Sequence, residues 1–179
     1  MSAAEPASSS QGSAFWRFSL GFYRQPGVAD ACIALQEEAG VDVNLLLFLL
    51  WHATRRRELS PTEVAELEHR IGTWREMTVV PLRSVRRALK SPPALVPAQT
   101  AEAFRTRIKA VELEAERLQQ EAMHELARTR PLGRAVSSPA DAARANVAAY
   151  QPICRAPFSK RAVETLLAAL TEMARKPED

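Results

Sequence analysis

Two Glu-x-x-His motifs stand in the chain, Glu66…His69 and Glu121…His124. On a helix this spacing sets a carboxylate and an imidazole on one face, and in ferritin-like bundles two such motifs help to hold two irons. Each half also needs a further carboxylate. Glu37 or Glu38 could serve the first, but the second has no counterpart. Helical projection turns both histidines away from the apolar stripes of their own segments and towards water. His124-Glu125 is no zinc motif, because Arg128 stands where a second histidine is required. No metal site, cofactor or catalytic residue is therefore read from the sequence.

Nucleophiles fare no better. Of the two cysteines, Cys32 lies among apolar residues with no basic neighbour, a setting that raises a thiol pKa. Cys154 precedes Arg155, which would lower it. The six glycines make no Gly-x-Ser-x-Gly elbow, phosphate loop or dinucleotide fingerprint. An enzyme is disfavoured.

A basic cluster is the most informative feature. Residues 79–91 carry Arg83, Arg86, Arg87 and Lys90 and no acid. With Leu82, Val85 and Leu89 inward, these cations face out. Arg55, Arg56 and Arg57 join them if the helices on either side of residue 60 pack antiparallel. Arginine binds phosphate or carboxylate with a bidentate fork, so one reading is an anion-binding surface for an acidic protein or a phosphate-bearing ligand. The other is an internal network with the acids at 112–116, which the small net charge of +3 favours. No aromatic side chain interleaves the cluster, which argues against base stacking.

The elements that carry these residues are helical. Phe15, Phe18 and Phe22 share one face of a helix over 14–24, capped by Ser13. Pro26-Gly27 precedes a helix over 28–39, with Ile33 and Leu35 as core candidates and Gly40 as its C-terminal stop. Asp42 caps a nearly all-apolar helix running to the Arg55–Arg57 triplet. Ser60-Pro61-Thr62-Glu63 is a capping box, followed by a helix with Val64, Leu67, Ile71 and Trp74 inward. Pro81 interrupts it before the short basic helix. After Pro92, Pro93 and Pro97 a helix of roughly 45 Å covers 99–129. Its apolar seam, Phe104, Ile108, Val111, Leu118 and Leu126, has heptad spacing suited to a partner helix in the same bundle or a second copy. Two further helices cover 139–150 and 159–174. No segment alternates as a strand does.

The pattern Trp16-x-Phe18, Tyr23, Gly27-Val28, Cys32, Leu35-Gln36, Gly40, Asp42-Val43 and Leu45–Leu47 resembles a proteobacterial family of conserved hypothetical proteins. So do Trp74, the run Val79–Arg83, and Ile108-Lys109 with Glu112–Arg117. The resemblance covers residues 15–130 and implies no assigned activity. Asn44 stands where the family often has cysteine, which argues against a redox role there.

The whole reads as an all-α helical bundle with one long heptad-patterned helix and a short C-terminal helical appendage. Residues 1–12 read as a disordered tail, 13–130 as the bundle, and 131–179 as a linker plus helices packed on it. Hydrophobic residues are 46% and charged residues 25%, enough for a sizeable core. Two cysteines and no secretory leader fit a reducing cytoplasm, and no run reaches the roughly 20 apolar residues that span a bilayer. The function that follows is a non-enzymatic interaction or adaptor module. Alternatives are a metal enzyme built on the Glu-x-x-His pairs and attachment to a membrane or lipid-granule surface.

Overall fold

The computed structural model describes residues 12–175 of the 179. Apart from Gly12, the segment read as a tail lies outside the described residues.

The chain is all-α, with helices α1 (Ala14–Tyr23), α2 (Val28–Ala39), α3 (Val43–Thr54), α4 (Pro61–Trp74), α5 (Val80–Ala88), α6 (Ala98–Thr129), α7 (Pro139–Tyr150) and α8 (Lys160–Arg175). Local chemistry sets the boundaries. The Ser13 hydroxyl accepts from the Trp16 amide at 3.1 Å, and the Asp42 carboxylate from the Leu45 amide at 3.1 Å. Gly40 ends α2 at φ 71°, where its amide reaches the Gln36 carbonyl at 3.1 Å. Ser60 and Glu63 complete the capping box.

α3 is the axis of the core. Every residue from Asn44 to Ala53 is buried. Phe15 of α1 meets Phe48 edge-on, with ring centroids 5.1 Å apart. α7 lies along α3, and Ala142, Ala143, Val147 and Tyr150 enter the same core, as do Leu166 and Leu170 of α8.

Five features depart from the sequence reading. α3 ends at Thr54 rather than in the arginine triplet, because Arg56 takes a positive φ of 55° and turns the chain. Arg57–Glu58 then forms a two-residue strand, β1, antiparallel to β2 (Arg134–Ala135). Two residues carry no periodicity, so no pattern announces the pair. Gly133 before β2 has φ 65°, and a Cβ there would lie 2.6 Å from the Glu58 carbonyl oxygen.

Pro81 does not interrupt the chain of helices. A π-helical turn over Arg75–Val79 carries α4 directly into α5, with Pro81 in the first turn of the new segment, where its missing N–H is tolerated. Ile33 is 44% exposed rather than in the core. Most of the seam of α6 is not packed within the bundle: Phe104, Val111 and Leu118 are exposed and Ile108 is half-buried, while Leu126, also half-buried, packs against the core. The buried face of α6 is Ala101, Glu112, Ala115, Gln119, Gln120 and Met123, half of it polar. Polar side chains can face inward here because the bundle supplies their partners.

Candidate functional site

Those partners begin at the start of α3. The Asp42 carboxylate accepts from Gln119 Nε2 at 2.9 Å and pairs with Arg75 at 3.1 Å. Arg75 also pairs with Glu68 at 2.6 Å. Asn44 Oδ1 accepts from Gln120 Nε2 at 2.7 Å. One and two helical turns back along α6, Glu116 and Glu112 receive the arginines of α5. Arg83 reaches Glu112 at 3.1 Å, Glu116 at 2.7 Å and Gln36 Oε1 at 2.7 Å. Arg86 forks onto both oxygens of Glu112.

Arg83 and Arg86 thus turn inward onto the acids at 112–116, the internal network that the small net charge favoured over an outward anion-binding surface, and Val85 is left 43% exposed instead of turning in. Two half-buried guanidiniums can sit there because two carboxylates meet them. Burial pushes the Glu112 carboxyl up, but hydrogen bonds from Arg86 and Arg83 outweigh it and hold the group below the usual carboxylate range. Burial raises the Glu116 carboxyl despite Arg83. Arg87 makes only an exposed 3.8 Å pair with Glu37.

Beside this network lies a cleft of about 800 Å³ between α1, α2, α5 and α6. Leu20 and Tyr23 of α1, Ile33 of α2 and Leu113 of α6 expose apolar surface along its walls. Its floor includes Ser19 and Gln120, each 3% exposed. Ser19 Oγ and Gln120 Oε1 have no hydrogen-bond partner among the described residues. Arg24, Lys90 and Lys109 stand at the mouth, exposed and without an ion pair among the described residues. The cleft can therefore receive a ligand that is apolar along one side and anionic at its edge.

Arg55, Arg56 and Arg57 do not join this site. They stand at the far end of α3 from Asp42. There Arg55 stacks over Trp51 at 4.7 Å, and Arg57 donates to the carbonyls of Leu132, at 2.9 Å, and Gly133. Arg56 turns the chain there, and its carbonyl accepts from the Val136 amide at 3.0 Å. The two arginine groups meet α6 at separate places, Arg83 near its middle at Glu112 and Arg55 near its C-terminal end by Arg128, about 24 Å apart along the axis. Sequence proximity to residue 60 could not place them, because α4 runs back along the bundle before α5 begins.

The Glu-x-x-His pairs are also kept apart. His69 is exposed, and Glu66 pairs with Arg130 at 3.2 Å. Glu121 accepts the Ser13 amide at 2.9 Å. His124 is half-buried against Trp51, with ring centroids 5.5 Å apart, not turned fully to water. No group of three His, Cys, Asp or Glu side chains converges to hold a metal ion among the described residues. Burial pushes the Cys32 thiol up to about 12 and the Cys154 thiol up to about 11. Arg155 does not activate Cys154, because its guanidinium caps α2 through the carbonyls of Glu37 and Glu38.

Two contributors escaped the sequence reading. Asn44 was legible as the one polar residue at the head of an apolar run. Gln120, flanked by polar residues on a helix rich in them, carried no signal.

A family model described as a protein of unknown function (DUF2390) matches residues 14–123. No curated protein and no solved structure matches the chain. All the residues that line the cleft, from Trp16 to Gln120, fall within the matched span.

Proposed function

We propose that this chain, which belongs to the DUF2390 family of proteins of unknown function, is a non-catalytic interaction module whose cleft takes an acidic segment of another protein. One observation carries the reading: three unpaired cations, Arg24, Lys90 and Lys109, ring a mouth whose walls expose Leu20, Tyr23, Ile33 and Leu113. An amphipathic segment with acids beside its apolar face complements both. The apolar walls supply most of the affinity, at about 25 cal/mol per Å² covered, and the exposed cations supply registration and salt dependence.

The test leaves Arg83 and Arg86 in place, since they hold the bundle's own carboxylates. Arg24→Glu, Lys90→Glu and Lys109→Glu reverse the rim alone. Wild type and the triple variant are used as baits in the native host, and captured proteins are identified by mass spectrometry. The acidic segment of a captured partner is then titrated as a synthetic peptide. Binding that weakens with salt and fails in the triple variant supports the proposal. Equal binding by both baits overturns it.

The exposure of Phe104, Val111 and Leu118 at seven-residue spacing favours a second use of α6, pairing with another copy of the chain. Sedimentation of wild type against Val111→Glu/Leu118→Glu decides it: a dimer lost in the variant supports pairing, and a monomeric wild type removes it. No helix among the described residues is long and apolar enough to cross a membrane.

A further inference from the structure

A second cavity of about 380 Å³ lies where α3 and α6 both end. Its polar lining is Arg55, Arg57, Arg128, His52 and His124, with no carboxylate. Trp51, Pro131 and Leu132 form the apolar side. This grouping is unusual for the chain. Elsewhere the half-buried arginines of α4 and α5 close onto acids, as Arg75 does on Asp42 and Glu68 and Arg83 on Glu112 and Glu116.

Local structure accounts for only part of the charge. The two helix ends contribute about half a negative charge each. Arg128 is answered by Glu125 at 2.8 Å. About one positive charge remains, together with two imidazoles. Arg57 is anchored by its carbonyl contacts and is not free to swing out to solvent. His52 is 5% exposed, and neither of its ring nitrogens has a hydrogen-bond partner among the described residues. Buried polar atoms are nearly always paired, so an unpaired imidazole in the wall of a cationic cavity points to a ligand.

We propose that this cavity is a binding site for a small, free oxyanion of the phosphate type, held by Arg55, Arg57 and Arg128 with His52 and His124 beside it. The site is independent of the cleft between α1 and α5, and its occupant is small where the cleft's is extended. A bound dianion stabilises the charged form of the His52 imidazole, so binding raises its titration midpoint and is coupled to proton uptake there. The charged groups facing His52 are Arg55 on α3, Arg57 on β1, Glu63 on α4, and His124 and Arg128 on α6.

The probe is inorganic phosphate at constant ionic strength, with chloride as the comparator, read from the histidine ring signals by NMR. Saturable shifts of His52 and His124, with exposed His69 unmoved, are expected, together with a rise in the titration midpoint of His52. Arg55→Met/Arg128→Met alters exposed positions and should weaken phosphate binding roughly tenfold or more with an unchanged melting temperature. Arg24→Glu/Lys90→Glu/Lys109→Glu should bind phosphate as wild type does, which separates failure here from failure of the cleft. Shifts that do not saturate, that move His69 equally, or that persist in Arg55→Met/Arg128→Met overturn the site and indicate an adventitious ion only.

Discussion

The phenol oxygen of Tyr150 accepts a hydrogen bond from the Asp42 backbone N–H at 2.9 Å. The two residues are 108 positions apart, one at the end of α7 and the other at the N-cap of α3. The same hydroxyl donates to Glu68 at 3.4 Å, and the Asp42 carboxylate holds Gln119 and Arg75. Tyr150 thus ties a helix outside the family match to the capping residue on which the polar interior of α6 depends.

Removing that hydroxyl tests the tie. Tyr150→Phe keeps the ring in the core but leaves the buried Asp42 amide without its partner. The expected loss is about 1–3 kcal/mol in denaturant unfolding, with an unchanged m-value. A loss below about 0.5 kcal/mol would show the contact to be dispensable.

Asn146 is a second such tie. It is fully buried, accepts from the Leu59 amide at 2.7 Å and donates to the carbonyls of Leu49 at 3.0 Å and Arg57 at 3.1 Å. Asn146→Ala should cost about 2–4 kcal/mol, because three backbone groups lose a partner at once. Asn146→Asp should cost more at neutral pH, where a carboxylate would face two carbonyl oxygens. Thermal melts of both variants check the order.

The inward arginines predict a specific non-additivity. Arg83→Met leaves Glu112 and Glu116 undercompensated and should destabilise by about 1–3 kcal/mol, discounted for partial exposure. In an Arg83→Met/Glu112→Gln double variant the carboxylate charge is gone, so the total should fall short of the sum by about 1 kcal/mol. Strict additivity in the cycle would mean that the pair does not interact.

His52 predicts a pH dependence. Burial, then Arg55 and Arg57, push its imidazole down to about 4, against a weaker opposing effect of Glu63. In the unfolded chain the group titrates near 6.5. The unfolded state therefore binds more protons below that value, and stability falls as pH drops from about 6.5 through about 4. The difference amounts to about 3 kcal/mol. His52→Phe should lose less stability than wild type across that window in phosphate-free buffer. Parallel pH profiles for the two proteins would place the sensitivity elsewhere.

The helices and most of their N-terminal starts were legible because they are decided within a few residues. Ser13, Asp42 and Ser60 each cap the helix expected of them, and Gly40 takes the left-handed turn that few other residues accept. What tertiary structure alone decided is which polar groups go inside. The acids at 112–116 could be read as partners of the basic cluster, but nothing local placed Gln119 and Gln120 inside, and only the approach of the start of α3 makes their side of α6 an interior. Tertiary structure also leaves most of the heptad seam outside, separates Arg55–Arg57 from Arg83–Arg87, and pairs β1 with β2. The physical reason is that burying a polar side chain is favourable or costly according to the partner it meets. For this protein those partners come from elements 26 to 108 residues away along the chain.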